Sequence, residues 1–187
     1  MKVTKAQVRE NRERIVETAS VLFRERGYDG VGVAELMSTA GFTHGGFYKH
    51  FGSKADLMAE AAACSFAKSA EQTSEIDITD FVTQYLSREH RDTPGNGCTM
   101  AALSGDAGRQ PELIKQTFAV GIENQLATLA SKDKDLNETE QRDVRARRLA
   151  TIAQVVGAIV LSRACPDDSA LADEILDVCR TKILCHG

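Results

Sequence analysis

The chain has 187 residues, of which 42% are hydrophobic, 27% charged and 5% aromatic, with no tryptophan and a formal net charge of −4. This is an ordinary globular balance, enough for a substantial core in one or two domains, packed mainly by Ala, Leu, Ile and Val. No apolar run approaches the roughly 18 residues of a membrane span, and neither internal repeats nor low-complexity segments are present.

In chain order, residues 2–9 read as a polar basic arm. A helix is predicted from about Val8 to Arg26, with Ile15, Ala19, Leu22 and Phe23 as its buried stripe and Arg12, Glu13, Glu17, Arg24 and Glu25 mostly off it. Gly27 ends it. Val33, Leu36 and Met37 mark the face of a short helix, Gly41 supplies a positive-φ turn, and Thr43 caps a second short helix. Ser53 opens a helix to about Glu71, and a polar break at 72–77 follows. Another helix is predicted from about Thr79 to His90, then a loop around Pro94-Gly95-Asn96-Gly97. A short helix over Cys98–Leu103 is expected to stop near Gly105. Pro111 opens a helix to about Ser131. Asn137 and Glu140 resemble a capping box for a helix to about Arg163, and a last helix runs from Ser169 to Leu184. The expectation is nine helices and no strand: an all-α chain with a three-helix head and a six-helix bundle.

Residues 33–54 carry the sharpest signal. Two short helices joined by a glycine turn form a helix-turn-helix. Its second helix holds Thr43, His44, Gly45, Gly46, Tyr48, Lys49 and His50, with Lys54 just beyond. Two glycines weaken a helix by roughly 1 kcal/mol each, but they let a backbone approach another molecule closely. The hydroxyls, imidazoles and ammonium beside them suit phosphate oxygens and base edges. Phe47 and Phe51 fall on the core side. Charge agrees: residues 1–54 hold nine Lys/Arg against six Asp/Glu, and the remainder fourteen against twenty-one. A basic head on an acidic body fits a local DNA footprint.

The run Gly27-Tyr28, Val33-Ala34-Glu35-Leu36, Ala40-Gly41-Phe42-Thr43 and Tyr48-Lys49-His50-Phe51-Gly52-Ser53-Lys54, with Ile15, Ala19, Leu22 and Phe23 before it, resembles the amino-terminal domain of the TetR family of transcriptional regulators. The likeness covers about a third of the chain, residues 9–60. Gly32 departs from it, where the family often has Ser or Thr. The resemblance implies a helix-turn-helix DNA-binding domain, 1–52, and a helical effector-binding and dimerisation domain, 53–187. It implies that Tyr48, His50 and Lys54 hold phosphates; Lys2, Lys5, Arg9 and Arg12 of the basic arm are expected to add backbone or minor-groove contacts. It also implies that the last two helices form a homodimer, for which Leu149, Ile152, Ala153, Val156, Gly157, Val160 and Ile175 are candidates. The same residues also suit an internal core. The family binds its effector inside the bundle, where Phe66, Phe81, Tyr85, Met100, Leu103, Phe118, Ile122 and Val155 are candidate pocket residues; apolar spacing alone makes them core equally well.

The reading that follows is a ligand-responsive repressor of an operator in double-stranded DNA, acting as a homodimer and released by a small-molecule effector that the sequence does not name. Cys98 offers an alternative switch: a thiol opening a helix has raised thiolate character and can sense electrophiles or oxidants. A helical enzyme or carrier is the remaining alternative. Four scattered histidines and five cysteines without a CxxC pair give no catalytic or metal constellation, so no cofactor is expected. The charged amino terminus reads as no signal peptide, a cytoplasmic location is expected, and the odd number of cysteines is expected to be reduced.

Overall fold

The computed structural model describes residues 4–73, 76–130 and 136–186, and no strand occurs among them. Nine α-helices and two 3-10 turns follow in order: α1 Lys5–Arg26, α2 Val33–Thr39, a 3-10 segment His44–Lys49, α3 Lys54–Thr73, α4 Ile78–Tyr85, α5 Arg88–Asp92, a 3-10 turn Pro94–Asn96, α6 Thr99–Ala107, α7 Glu112–Ala130, α8 Glu138–Arg163 and α9 Ala170–His186.

Helix ends follow local chemistry. The predicted arm is largely helix, because Thr4 and Gln7 form a capping box that starts α1 at Lys5; Lys2 lies outside the described residues. Gly27 and Gly41 have φ of 74° and 83°, the left-handed turns that end α1 and join the two helices of the motif. The Asp56 N–H donates to Ser53 Oγ at 3.1 Å, so Ser53 caps α3 as expected. Asn137 and Glu140 complete a capping box on α8.

The helix expected over 79–90 breaks at Leu86. Ser87 Oγ accepts from the His90 N–H at 3.1 Å and restarts the chain as α5. Gly105 does not stop α6, which continues to Ala107. The charged loop expected over 132–136 lies, all but Leu136, outside the described residues.

Two apolar clusters hold the molecule. The first runs without a break from Ile15, Phe23, Met37, Phe47 and Leu57 in the head to Phe66, Leu103, Ile114, Phe118 and Ile152 in the bundle. The second joins α4, α8 and α9 through Val82, Leu86, Val155, Ile159 and Leu176. Each fully buried large side chain contributes roughly 1.5–3 kcal/mol, so head and bundle share one source of stability. Polar contacts cross the same junction. The Asp106 carboxylate on α6 accepts from the Tyr28 N–H at 3.0 Å, and Lys54 Nζ on α3 donates to the Tyr28 carbonyl at 2.6 Å.

Candidate nucleic-acid interface and the cavity behind it

The helix-turn-helix is anchored from inside. Phe47 and Phe51 are buried, their rings 5.5 Å apart, as their spacing predicts. The segment carrying them is wound as a 3-10 helix, tighter than the α-helix expected, and Gly45 and Gly46 sit within it. A Cβ on Gly45 would meet nothing within 4 Å, and one on Gly46 would touch Met37 and Thr43 at ordinary distances of 3.6 and 3.7 Å. Packing within the chain therefore requires neither glycine, and the bare backbone faces outward at Gly45.

Fixing the two phenylalanines inward turns their neighbours outward. Thr43, His44, Gly45, Tyr48 and Lys49 are exposed. Tyr48 is 69% exposed, an unusual position for a large aromatic ring. Thr43 Oγ makes no cap hydrogen bond and stays available, although its carbonyl accepts from the Gly46 N–H at 2.9 Å.

His50 and Lys54 differ from these five. His50 is half-buried, its ring tilted beside Phe42 and Phe51, and its Nδ1 is buried without a partner. Burial first, then Arg12 and Lys49, hold its pKa below the ordinary histidine value. Lys54 is half-buried, its ammonium bonded to the Tyr28 carbonyl and 5.9 Å above the Phe23 ring.

Two of the expected arm cations, Arg9 and Arg12, have partners within the chain. Arg12 donates to the His50 carbonyl, pairs with Glu60 and lies 4.3 Å over the Phe51 ring. Arg9 pairs with Glu13 at 3.6 Å. Arg14, which the periodicity did not single out, lies over the Phe42 ring at 5.4 Å and against Gly41. Gly32 caps α2 with no side-chain hydrogen bond.

Behind the head, a cavity of about 820 Å³ opens between α1 and α3 on one side and α4, α5 and the start of α6 on the other. Of the eight pocket candidates, Phe81 and Tyr85 line it. Phe66, Met100, Leu103 and Phe118 are buried in the first cluster, Ile122 packs against that cluster, and Val155 belongs to the second. Phe66 stacks edge-on against Phe118 at 5.2 Å, and Gly121 leaves room for its ring. The walls include Ser20, Arg24, Ser65, Lys68, Gln84 and Cys98. These polar residues come from four segments far apart in sequence. Arg24 and Ser20, four apart on α1, were the nearest thing to a signal.

Cys98 sits where α6 begins and lines this cavity. Its N–H donates to His90 Nε2 at 3.0 Å, while His90 Nδ1 bonds the Tyr85 carbonyl at 2.7 Å. Those two bonds fix a neutral imidazole with the proton on Nδ1, and burial keeps its pKa below the ordinary value. The Tyr85 hydroxyl is buried without a hydrogen bond of good geometry and has the Cys98 thiol beside it; burial, then Cys98, pushes its pKa well up. Among the described residues, no group of three or more His, Cys, Asp or Glu is gathered as a metal site.

On α8 and α9 the interface candidates divide. Leu149, Ala153 and Val160 are exposed, and Val156, Gly157 and Ile175 are half-buried; a Cβ on Gly157 would meet nothing within 4 Å. Ile152 is buried in its own chain's first cluster. Leu161, Leu171 and Val178 extend the exposed apolar surface.

Comparison with known proteins agrees with the all-α fold and its amino-terminal helix-turn-helix. A family model described as bacterial regulatory proteins, tetR family, matches residues 15–61. An uncharacterized HTH-type transcriptional regulator of Mycobacterium tuberculosis is 28% identical over 171 residues, covering 81% of this chain and 84% of its own. The HTH-type transcriptional repressor AcnR of Corynebacterium diphtheriae is 29% identical over 89 residues, 48% of this chain and 47% of AcnR. The crystal structure of the reduced form of NemR from Escherichia coli superposes with a TM-score of 0.71 at 19% identity, covering 93% of this chain and 95% of NemR. That last likeness concerns the fold.

Proposed function

We propose that this chain, which belongs to the TetR family of bacterial transcriptional regulators, is an effector-controlled repressor that binds its operator as a homodimer in the cytoplasm. It is a regulator and not an enzyme. One observation carries the reading: Thr43, His44, Gly45, Tyr48 and Lys49 stand exposed on a segment whose other face, Phe47 and Phe51, is locked in the core. In this reading the segment enters the major groove. Thr43, His44, Gly45 and Gly46 approach base edges, and Tyr48 and Lys49 meet phosphates. His50 and Lys54 then act at the groove's edge, His50 as a neutral ring and Lys54 through the ammonium hydrogens that Tyr28 leaves free.

Residues 1–52 serve as the reader and 53–187 as the effector-binding and dimerisation domain. The exposed apolar surface of α8 and α9 supports pairing of two copies as a four-helix bundle. That would set two readers about 34–36 Å apart, one helical turn of DNA. The cavity of about 820 Å³ has the size of a small-molecule site. No helix among the described residues is long and apolar enough to cross a membrane.

The test is a gel-shift titration of the full chain on the intergenic DNA flanking its gene, at two salt concentrations. A specific shift that weakens with salt is expected. Absence of a specific shift on every flanking fragment would sink the proposal.

A second reading keeps the DNA and changes the switch. The Cys98 thiol lines the cavity where α6 begins, beside the Tyr85 hydroxyl. With N-ethylmaleimide as the probe, the sulfur adds to the carbon–carbon double bond and the proton ends on the neighbouring carbon. Operator release by the reagent that Cys98→Ser abolishes would establish this switch. Release unchanged in Cys98→Ser would remove it.

A further inference from the structure

The charges around the cavity are not balanced. Lys68 and Glu17 pair with each other across its rim at 2.6 Å. Arg24 has no such partner. Its Nε and Nη2 donate to the Gly95 carbonyl, and its Nη1 to the hydroxyls of Ser20 and Ser65. All of these acceptors are neutral, and no carboxylate lies within ion-pair distance of Arg24 among the described residues. Arg163 approaches the same end of the cavity from behind Gly97, and it too donates only to carbonyls, those of His90 and Arg91.

Other partly or fully buried arginines are treated differently by the fold. Arg12 has Glu60, and Arg91 has Asp92 and Asp167. His90 is held neutral by its two hydrogen bonds. The lining therefore carries one cation without an ion-pair partner, Arg24; the Glu25 carboxylate acts on it only from beyond that distance and lies outside the lining. Burial is the chief cause holding its pKa below the usual arginine value, which marks a cation short of solvation. An anion brought into the cavity would restore what desolvation removed. Phe81 and Tyr85 offer aromatic surface in the same cavity, their rings 5.3 Å apart.

We propose that the cavity binds an aromatic carboxylate, its carboxylate held by Arg24 with the Ser20–Ser65 hydroxyl pair and its ring against Phe81 and Tyr85. The proposal rests on the reading of this cavity as the effector site. It names the chemical class of the effector: a planar organic acid of one or two rings, which about 820 Å³ accommodates.

Calorimetric titration of the full chain with benzoate, 4-hydroxybenzoate and 2-naphthoate, each beside its primary amide, tests it. At least one acid should bind, and its amide should bind about 10- to 100-fold more weakly, the range of a charge-assisted hydrogen bond. Arg24→Gln should bring the acid down to the level of the amide, and Arg24→Lys should keep part of the preference. If Arg24→Gln fails to fold, Ser65→Ala takes its place, with a several-fold loss for the acid alone. Equal binding of acids and amides would overturn the anion assignment while leaving the cavity as an effector site. No binding by any of the six compounds would also overturn it, and the gel-shift titration would judge the repressor reading separately. An acid preference unchanged in Arg24→Gln would remove Arg24 from the site.

Discussion

The 3-10 segment of the head and the cavity of the bundle both gather polar side chains, but in opposite states. On the head, Thr43, His44, Tyr48 and Lys49 stand in water with few partners of their own. Around the cavity, Arg24, Lys68 and His90 are all tied to neighbours, and Arg24 and His90 are partly removed from water. An exposed group loses little by meeting a partner and gains only what screened charge allows, so the head suits a highly charged polymer met at many points. A desolvated group gains much from one well-placed counter-group, so the cavity suits a small ligand met at few points. The two regions are joined by one apolar cluster and by the peptide of Tyr28, which Asp106 and Lys54 hold from opposite sides.

The largest expected effect contrasts two neighbours on the head. Phe47→Ala should destabilise the chain by about 3–5 kcal/mol, because it opens a cavity in the shared core. Tyr48→Ala should change stability by no more than about 0.5 kcal/mol, because the ring is exposed. Urea unfolding of the two variants checks this, and a large stability loss in Tyr48→Ala would show that its ring is structural.

Next in size is the junction. Asp106→Ala leaves the Tyr28 N–H without its acceptor and should lower stability by about 1–3 kcal/mol, read as a lower urea midpoint at unchanged slope. A changed slope would mean that head and bundle no longer unfold together.

Much of the head was legible in the sequence, and little of the cavity was. Gly41, the Phe47/Phe51 core pair and the Asn137 capping box follow from local rules, since each needs only residues three or four apart. The same kind of rule, overlooked at Thr4 and Gln7, accounts for α1 starting at Lys5. The break at Leu86 depends on Ser87 capping the backbone in preference to continuing a helix whose apolar spacing was intact. The cavity has no local period. On the α1 pattern Arg24 reads as a solvent-facing charge, and only the return of Ser65 and Gly95 from distant segments turns it into a wall. Choosing pocket residues by apolarity selected Phe81 and Tyr85, which line the cavity, together with residues packed in the core such as Phe66 and Phe118.

A smaller effect concerns how the head meets DNA. Lys49→Ala should weaken operator and nonoperator DNA alike and lower the slope of log affinity against log salt by about 1, the signature of one phosphate lost. His44→Ala should leave that slope alone and change the preference among operator sequences. Fluorescence anisotropy across a salt series distinguishes them. A slope unchanged in Lys49→Ala would place that ammonium away from the backbone.

The smallest expected effect compares the two half-buried histidines, His50 of the head and His90 beside the cavity. Burial is the main cause holding both folded pKa values below the ordinary 6.5. The folded chain therefore keeps both rings neutral to lower pH than the unfolded chain does. Their contribution to stability is fully present above 6.5. It falls as pH drops from 6.5 toward the folded values, because the unfolded state takes up protons first, and it levels off below them. One such group changes stability by at most about 1.4 kcal/mol per pH unit. His90 should be the steeper of the two, since a proton on Nε2 also destroys the acceptor for the Cys98 N–H. Thermal melts between pH 7.5 and 5 should show a falling Tm that His90→Gln flattens more than His50→Gln does. A larger flattening by His50→Gln would place the acid-sensitive point in the head and reverse the contrast between the two regions.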